Sequence, residues 1–351
     1  MQFQIFSRPE EIYSRMLKDI SGAKSSIYLE TYIYDNDSVG SRFRELLIKK
    51  AKQGVKIKLL LDAWGSGADK NYFKNLIKLG AEVKFFRELR YVIKIFTKNH
   101  ERNHRKLLLI DEKISYIGSA NITKSCLKWR ELVIRLQGPI TEHFISSFNN
   151  SWNLSGKLNA KKIGSMIHSG YTIVQDLPSS LRRKRPSERK YIHLINGAKE
   201  KIKIETPYFV PSIRVRRALR RAAKRGVKIT LILPEKSNHL LPDLIRNRYL
   251  GKLLKKRIKI FYFKPGLLHS KLLIIDDKFF LLGSSNLDYR SLKHQYEINL
   301  IGQDKKMILE LKRYFYETLS KSRELKYDEW KNRSSFTRFL EVISSSIRKY
   351  V

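Results

Sequence analysis

Hydrophobic and polar positions along the chain fall into one rhythm that runs twice. Residues 25–33 alternate branched and aromatic residues with polar ones, the pattern of a strand. Helical spacing follows over 40–53, with Phe43, Leu46, Leu47 and Ala51 on one face and Gly54 as the stop. Residues 55–62 predict a second strand, 69–79 a helix ended by Gly80, and 81–86 a third strand. Strands 105–111 and 114–117 flank a turn at Glu112 and Lys113, and 129–136 adds another. Gly138-Pro139 opens a helix running to Trp152, since proline suits the first helical turn. After a Ser-, Gly- and Lys-containing stretch the rhythm resumes: strands 201–208, 226–233, 257–263, 269–276 and 297–301, and helices 212–225, 238–255 and 304–320. Strands alternating with helices imply parallel crossovers, so an α/β fold is expected, each half a mixed, mostly parallel sheet flanked by helices.

The repeat is sharpest at one motif. His104, Lys106 and Asp111 precede Gly118, Ser119 and Asn121; His269, Lys271 and Asp276 precede Gly283, Ser284 and Asn286, in identical spacing. The copies are 165 positions apart (269 − 104). Two such copies mark an internal duplication. On a strand, His and Lys two residues apart share a face, while Arg105, Ser270 and the aspartates point away. Pseudo-symmetric halves would therefore gather two His, two Lys and two Asn in one cleft at their interface, leaving Asp111 and Asp276 structural.

That set suits a tetrahedral phosphate ester. Lysine ammoniums, Asn121, Asn286, Ser119 and Ser284 would surround its oxygens. One histidine would attack phosphorus and the other would move protons. No metal or cofactor is expected: no Cys/His cluster has zinc spacing and no glycine-rich nucleotide loop occurs. His143, His168, His193, His239 and His294 lack the symmetry and read as surface or structural residues; His100 is the one other histidine close to a motif.

Composition narrows the partners. Lys and Arg outnumber Asp and Glu by 72 to 33, a net charge of +39, which attracts nucleic acid and anionic lipid surfaces alike. The single cysteine, Cys126, excludes an intramolecular disulfide and reads as a structural thiol. No window is apolar enough to span a bilayer and the N-terminus lacks signal-peptide character, so membrane work would be done from the surface. Residues 89–103 mix apolar and basic positions, fitting a buried hairpin or a lipid-touching loop equally. Phe336, Phe339, Leu340, Ile343 and Ile347 share a helical face that suits packing on the core or lying at a membrane interface.

The doubled HxKxxxxD…GSxN pattern resembles the phospholipase D superfamily. The stretches 276–299 and 103–139 are similar to bacterial cardiolipin synthases that lack transmembrane helices, although Gly118-Ser119 departs from the Gly-Gly that many of them carry. The resemblance implies two phospholipase D-like halves, 1–155 and 187–325, with a basic connector at 156–186 and an amphipathic tail at 326–351. It implies that Glu131 and Glu297, 27 and 28 residues after their motif histidines, orient those histidines, and it points to His104 as nucleophile. The implied reaction is phosphatidyl transfer through phospho-histidine: cardiolipin and glycerol from phosphatidylglycerol, or hydrolysis when water is the acceptor. The expected location is peripheral, on the cytoplasmic face of a bacterial membrane. Phosphodiesterase or nuclease action on nucleic acid is the alternative.

Overall fold

The structure, a computed structural model, describes residues 1–86, 101–154, 165–176 and 185–346. The apolar-basic stretch before the first motif, with His100, falls mostly outside that range, as do Ile347 and all of the basic run but Arg185.

The duplicated rhythm builds two sheets of matching order. The first runs Gln2–Phe6, Val133–Gln137, Ile114–Gly118, Leu107–Ile110, Ser26–Thr31, Lys56–Asp62, Glu82–Phe86. The second, from the corresponding end, runs Tyr171–Asp176, Glu297–Gly302, Phe279–Gly283, Leu272–Ile275, Lys201–Glu205, Lys228–Pro234, Lys259–Phe263, with Met166–His168 and Ser322–Glu324 added at its edges.

Both sheets are mixed, but not mostly parallel. Parallel pairing is confined to the β-α-β links: Ser26–Thr31 with Lys56–Asp62 and the latter with Glu82–Phe86, then Lys201–Glu205 with Lys228–Pro234 and the latter with Lys259–Phe263. The other neighbours are antiparallel. One antiparallel pair in each sheet comes from the tight turn after the motif, which joins Leu107–Ile110 to Ile114–Gly118 and Leu272–Ile275 to Phe279–Gly283. Asp111 and Glu112 have φ of 52° and 56°, and Asp276 and Asp277 have 52° and 53°. Left-handed residues in a short turn reverse the chain onto itself, which forces antiparallel pairing.

Two further expectations change. The stretch 156–186 is not simply a connector, because Tyr171–Asp176 pairs with Glu297–Gly302 just as Gln2–Phe6 pairs with Val133–Gln137. The expected helix 69–79 shrinks to Lys74–Lys78, because Asp69 accepts the Tyr72 N–H and begins with a turn.

Among the described residues, three large apolar cores hold the molecule, with a small fourth cluster of Val210, Ile245 and Tyr249. Helices Pro9–Ser21 and Ser38–Lys52 cover the outer face of the first sheet through Ile12, Phe43 and Leu47. Helices Pro186–Gly197 and Ile213–Lys224 cover the second through Tyr191, Val215 and Leu219. Between the sheets lies a shared core into which helices Ile140–Leu154 and Lys305–Ser320 send Phe144, Phe148, Leu311 and Phe315. Each such side chain contributes about 1.5–3 kcal/mol by leaving water, so the halves are fused by burial.

The tail helix Ser335–Ser346 packs on helix Leu240–Leu254 with an inverted polarity. Glu341 and Ser344 are buried, Glu341 pairing with Arg333 at 2.7 Å, while Phe336, Phe339, Val342 and Ile343 are more than half exposed.

Candidate active site

The motif histidines and lysines sit just before their strands, not on them: strand pairing begins at Leu107 and Leu272. The extended approach still alternates. Arg105 turns away from the cavity to Glu30 at 3.1 Å, and Ser270 turns to Glu205. The aspartates lie beyond the far end of the strand. Asp111 accepts backbone N–H groups of Lys24, Ser25 and Ser26 at 2.7–3.0 Å, and Asp276 those of Lys199, Glu200 and Lys201, each at 2.8 Å. Burial works against both carboxylates, but these donors keep each pKa below the usual aspartate value. They tie the turn after each motif to the chain entering the neighbouring strand.

Each histidine is oriented by a glutamate of the opposite half. His104 Nδ1 is 3.0 Å from Glu297 Oε1, and His269 Nδ1 is 2.9 Å from Glu131 Oε1. The backbone explains the crossing. His104 N–H donates to the Tyr296 carbonyl and Tyr296 N–H to the Arg102 carbonyl, so the residue before Glu297 is stitched to the residues around His104. In the same way His269 N–H donates to the Arg130 carbonyl, and Leu267–Leu268 pairs with Trp129–Arg130 just before Glu131. Nδ1 being occupied, Nε2 of each ring is left for chemistry.

Ser119 and Ser284 do not line the cavity, in contrast to the expected phosphate contact. Their buried hydroxyls donate to Glu131 and Glu297, and each also accepts a backbone N–H, from Leu132 and Ile298. The shared step Gly118 and Gly283 explains this: a Cβ at either would fall 2.2 Å from a carbonyl oxygen of the glutamate-bearing strand, so only glycine lets the serine reach the carboxylate. Ser291 gives Glu297 a second hydroxyl at 2.5 Å, a partner visible in the sequence five residues after Asn286 but without signal there.

The lysines are fully buried. Lys106 Nζ donates to the His104 carbonyl at 2.7 Å and Lys271 Nζ to the His269 carbonyl at 2.6 Å. Burial, then the charge of Lys271, pushes Lys106 down to about 7, and burial pushes Lys271 down to about 8. Burial first, then the lysines, lowers His104; burial also brings His269 down to about 4, against the pull of Glu131. The glutamates diverge. Burial raises Glu297 to about 8, whereas at Glu131 burial is outweighed by His269, Lys271 and the Ser119 hydroxyl together, which hold its pKa below the usual glutamate value.

His104, His269, Asn121 and Asn286 meet at a cavity of about 290 Å³. Asn121 Oδ1 accepts the Ile33 N–H, leaving its amide N–H groups for the cavity, and Asn286 Oδ1 is buried without a partner. Tyr32 packs edge-on to His104 and Trp129 tilts over His269, with ring centroids at 5.2 and 4.8 Å. Tyr208, Asn238, His239 and Arg290 complete the wall from the second half. His239, expected as a surface or structural residue, lines the cavity instead; Arg290 lay in the stretch similar to cardiolipin synthases, but nothing in the sequence assigned any of these four a place in the site. A more open groove of about 510 Å³ beside Asn36, Arg44 and Tyr72 contains none of the repeated residues.

The arrangement brings two neutral imidazoles with free Nε2 atoms and two asparagine side chains to one cavity, with Lys106 and Lys271 buried against the carbonyls of its histidines. Such a site can accept an anionic phosphodiester, compensate its charge and hold a covalent phosphoryl group on one ring.

Comparison with known proteins agrees. The family described as cardiolipin synthase, PLD-like domain, matches residues 16–152 and 191–319, once in each half. The major cardiolipin synthase ClsA of Bacillus subtilis is 33% identical over 95% of this chain and 72% of its own length. The cardiolipin synthase of Listeria welshimeri is 30% identical over 98% of this chain and 74% of its own. The crystal structure of phosphatidylserine synthase from Haemophilus influenzae shares the fold, with a TM-score of 0.77 at 14% identity, covering 100% of this chain and 95% of that one. The doubled motif, the matching sheets and these similarities together establish that the chain belongs to the phospholipase D-like cardiolipin synthase family.

Proposed function

We propose that this chain transfers a phosphatidyl group through a phospho-histidine, making cardiolipin and glycerol from two molecules of phosphatidylglycerol. The observation that carries the chemistry is the pair of crossed His–Glu contacts around one cavity, since each half then supplies a histidine whose support comes from the other. The named activity of the relatives supports a lipid substrate.

His104 Nε2 attacks phosphorus and the bond to the departing glycerol oxygen breaks. That oxygen takes a proton from His269. Glu131, kept ionised, favours a proton on His269, which supports His104 as the nucleophile. A bound phosphodiester anion offsets the lysine charges that depress His269 and so raises its pKa toward the acid role. In the second step His269 removes the proton from the acceptor hydroxyl, whose oxygen displaces His104 from phosphorus. Lys106, Lys271, Asn121 and Asn286 hold the phosphate oxygens through both steps.

The protein works peripherally at the cytoplasmic face of the membrane. No helix among the described residues is long and apolar enough to cross a bilayer, and the exposed Phe336, Phe339, Val342 and Ile343 face supports an interfacial tail beside a strongly basic surface. The test is incubation with phosphatidylglycerol vesicles and, separately, with single- and double-stranded DNA, followed by lipid chromatography and gels. Cardiolipin and glycerol are expected, with DNA untouched. DNA cleavage without lipid conversion would overturn the proposal.

A further inference from the structure

Making cardiolipin places a second phosphate near the site. The acceptor hydroxyl and the acceptor's own phosphate sit at opposite ends of a three-carbon glycerol. While the lysines and asparagines hold the reacting phosphorus, that second anion stands at the cavity wall and needs a cation of its own.

The wall is asymmetric in this respect. Of the described residues lining the cavity, Arg290 is the one permanently charged cation. It lies four residues after Asn286; four after Asn121 the chain has Ser125, which is exposed. Arg290 is held by a local device common to both halves: Asp288 caps the turn by accepting the Ser291 N–H, as Thr123 accepts the Ser125 N–H. Asp288, on the same wall, has one oxygen engaged in that cap and feels the charge of Arg290, but no ion pair within 4.0 Å joins Arg290 to a carboxylate among the described residues. Its Nε is buried without a hydrogen-bond partner. A guanidinium that is partly withdrawn from water with a donor left unsatisfied is costly unless an anion completes it. Its charge reaches the site: after burial, the lysines and His269 it helps to depress His104, and after burial it depresses His239 on the same wall.

We propose that Arg290 binds the phosphate of the acceptor lipid, making the second-half wall the acceptor subsite. This rests on the cardiolipin-forming reading. In the transfer step the acceptor oxygen forms its bond to phosphorus, the phosphorus–Nε2 bond breaks, and the proton passes to His269, while Arg290 holds the acceptor's phosphate and aims its hydroxyl.

The test is a competition for one phospho-enzyme. Full-length protein receives phosphatidylglycerol vesicles and ethanol, and the ratio of cardiolipin to phosphatidylethanol is measured. Ethanol carries no phosphate, so Arg290→Gln is expected to lower the ratio by about ten- to a hundredfold, the loss of one charge-assisted contact. Arg290→Lys is expected to recover most of it. A ratio within about twofold of the original in Arg290→Gln, or an equal fall in both variants, would overturn the assignment. Parent protein that makes neither lipid product would instead overturn the underlying function, before Arg290 is tested.

Discussion

Substituting Glu131 by Gln separates the crossed arrangement from a site in which each half orients its own histidine. Gln keeps the size and one carbonyl oxygen, which can still accept from His269 Nδ1. Its amide would then face Ser119, whose hydroxyl can turn fully to the Leu132 carbonyl, already 3.2 Å away. Folding should survive. What is lost is the negative charge 2.9 Å from a ring that must carry a proton during turnover. A hydrogen bond to a charged group is worth about 1.5–3 kcal/mol, which corresponds to a roughly ten- to 150-fold loss in kcat. An inverted tautomer would deepen the loss. Two assays read it: single-turnover transfer from phosphatidylglycerol, and imidazole ¹⁵N resonances of the free protein. In Glu131→Gln the His269 signals should move and those of His104 should stay; Glu297→Gln should do the reverse. If Glu131→Gln moved His104 instead, the crossed pairing and the stitched backbone that explains it would both be wrong.

Two other outcomes follow from buried charge. Because Lys106 is held near 7 and Lys271 near 8, kcat/KM should fall as pH rises through about 7 to 8, where the clamp loses its protons. Lys106→Arg, which stays charged, should move that limb upward, and an unmoved limb would assign the titration elsewhere. By linkage, the unfolded chain binds more protons than the folded one between about 7 and the ordinary lysine range, so these two residues make the fold gain stability with rising pH there. Arg105 joins the halves, reaching Glu30, Ser147 and Gln175 while completely buried. Arg105→Met should cost about 3–5 kcal/mol by stranding Glu30, read as a fall in Tm, and adding Glu30→Leu should recover part of it. A single-variant loss below about 1 kcal/mol would mean that the network holds nothing together.

The rhythm of strands and helices was legible because each half buries its own outer helices locally, on Ile12, Phe43, Val215 and Leu219, and local burial leaves a period in the sequence. The strands Gln2–Phe6 and Tyr171–Asp176 were not, because each is paired with a strand more than a hundred residues away. The predominance of antiparallel pairing escaped for a related reason: apart from the hairpin after each motif, it mostly joins strands separated by other elements, such as Ser26–Thr31 with Leu107–Ile110. The tail's amphipathic face was plain, but which side would meet the core was not; Glu341 went inward because Arg333 was there to pair with it.

By itself the sequence determined the chemistry's inventory: two histidines, two lysines and two asparagines in identical spacing, a duplication, to which the family resemblance added two glutamates. Only the tertiary structure decided how they combine. Residues 104 and 297, and 269 and 131, meet because backbone hydrogen bonds join Arg102 and His104 to Tyr296, and His269 to Arg130. It also turned the serines toward the glutamates and brought Arg290 to one wall and not the other. Contacts of that kind depend on where two separately formed sheets dock, and a spacing within one half carries no record of the surface it will meet on the other.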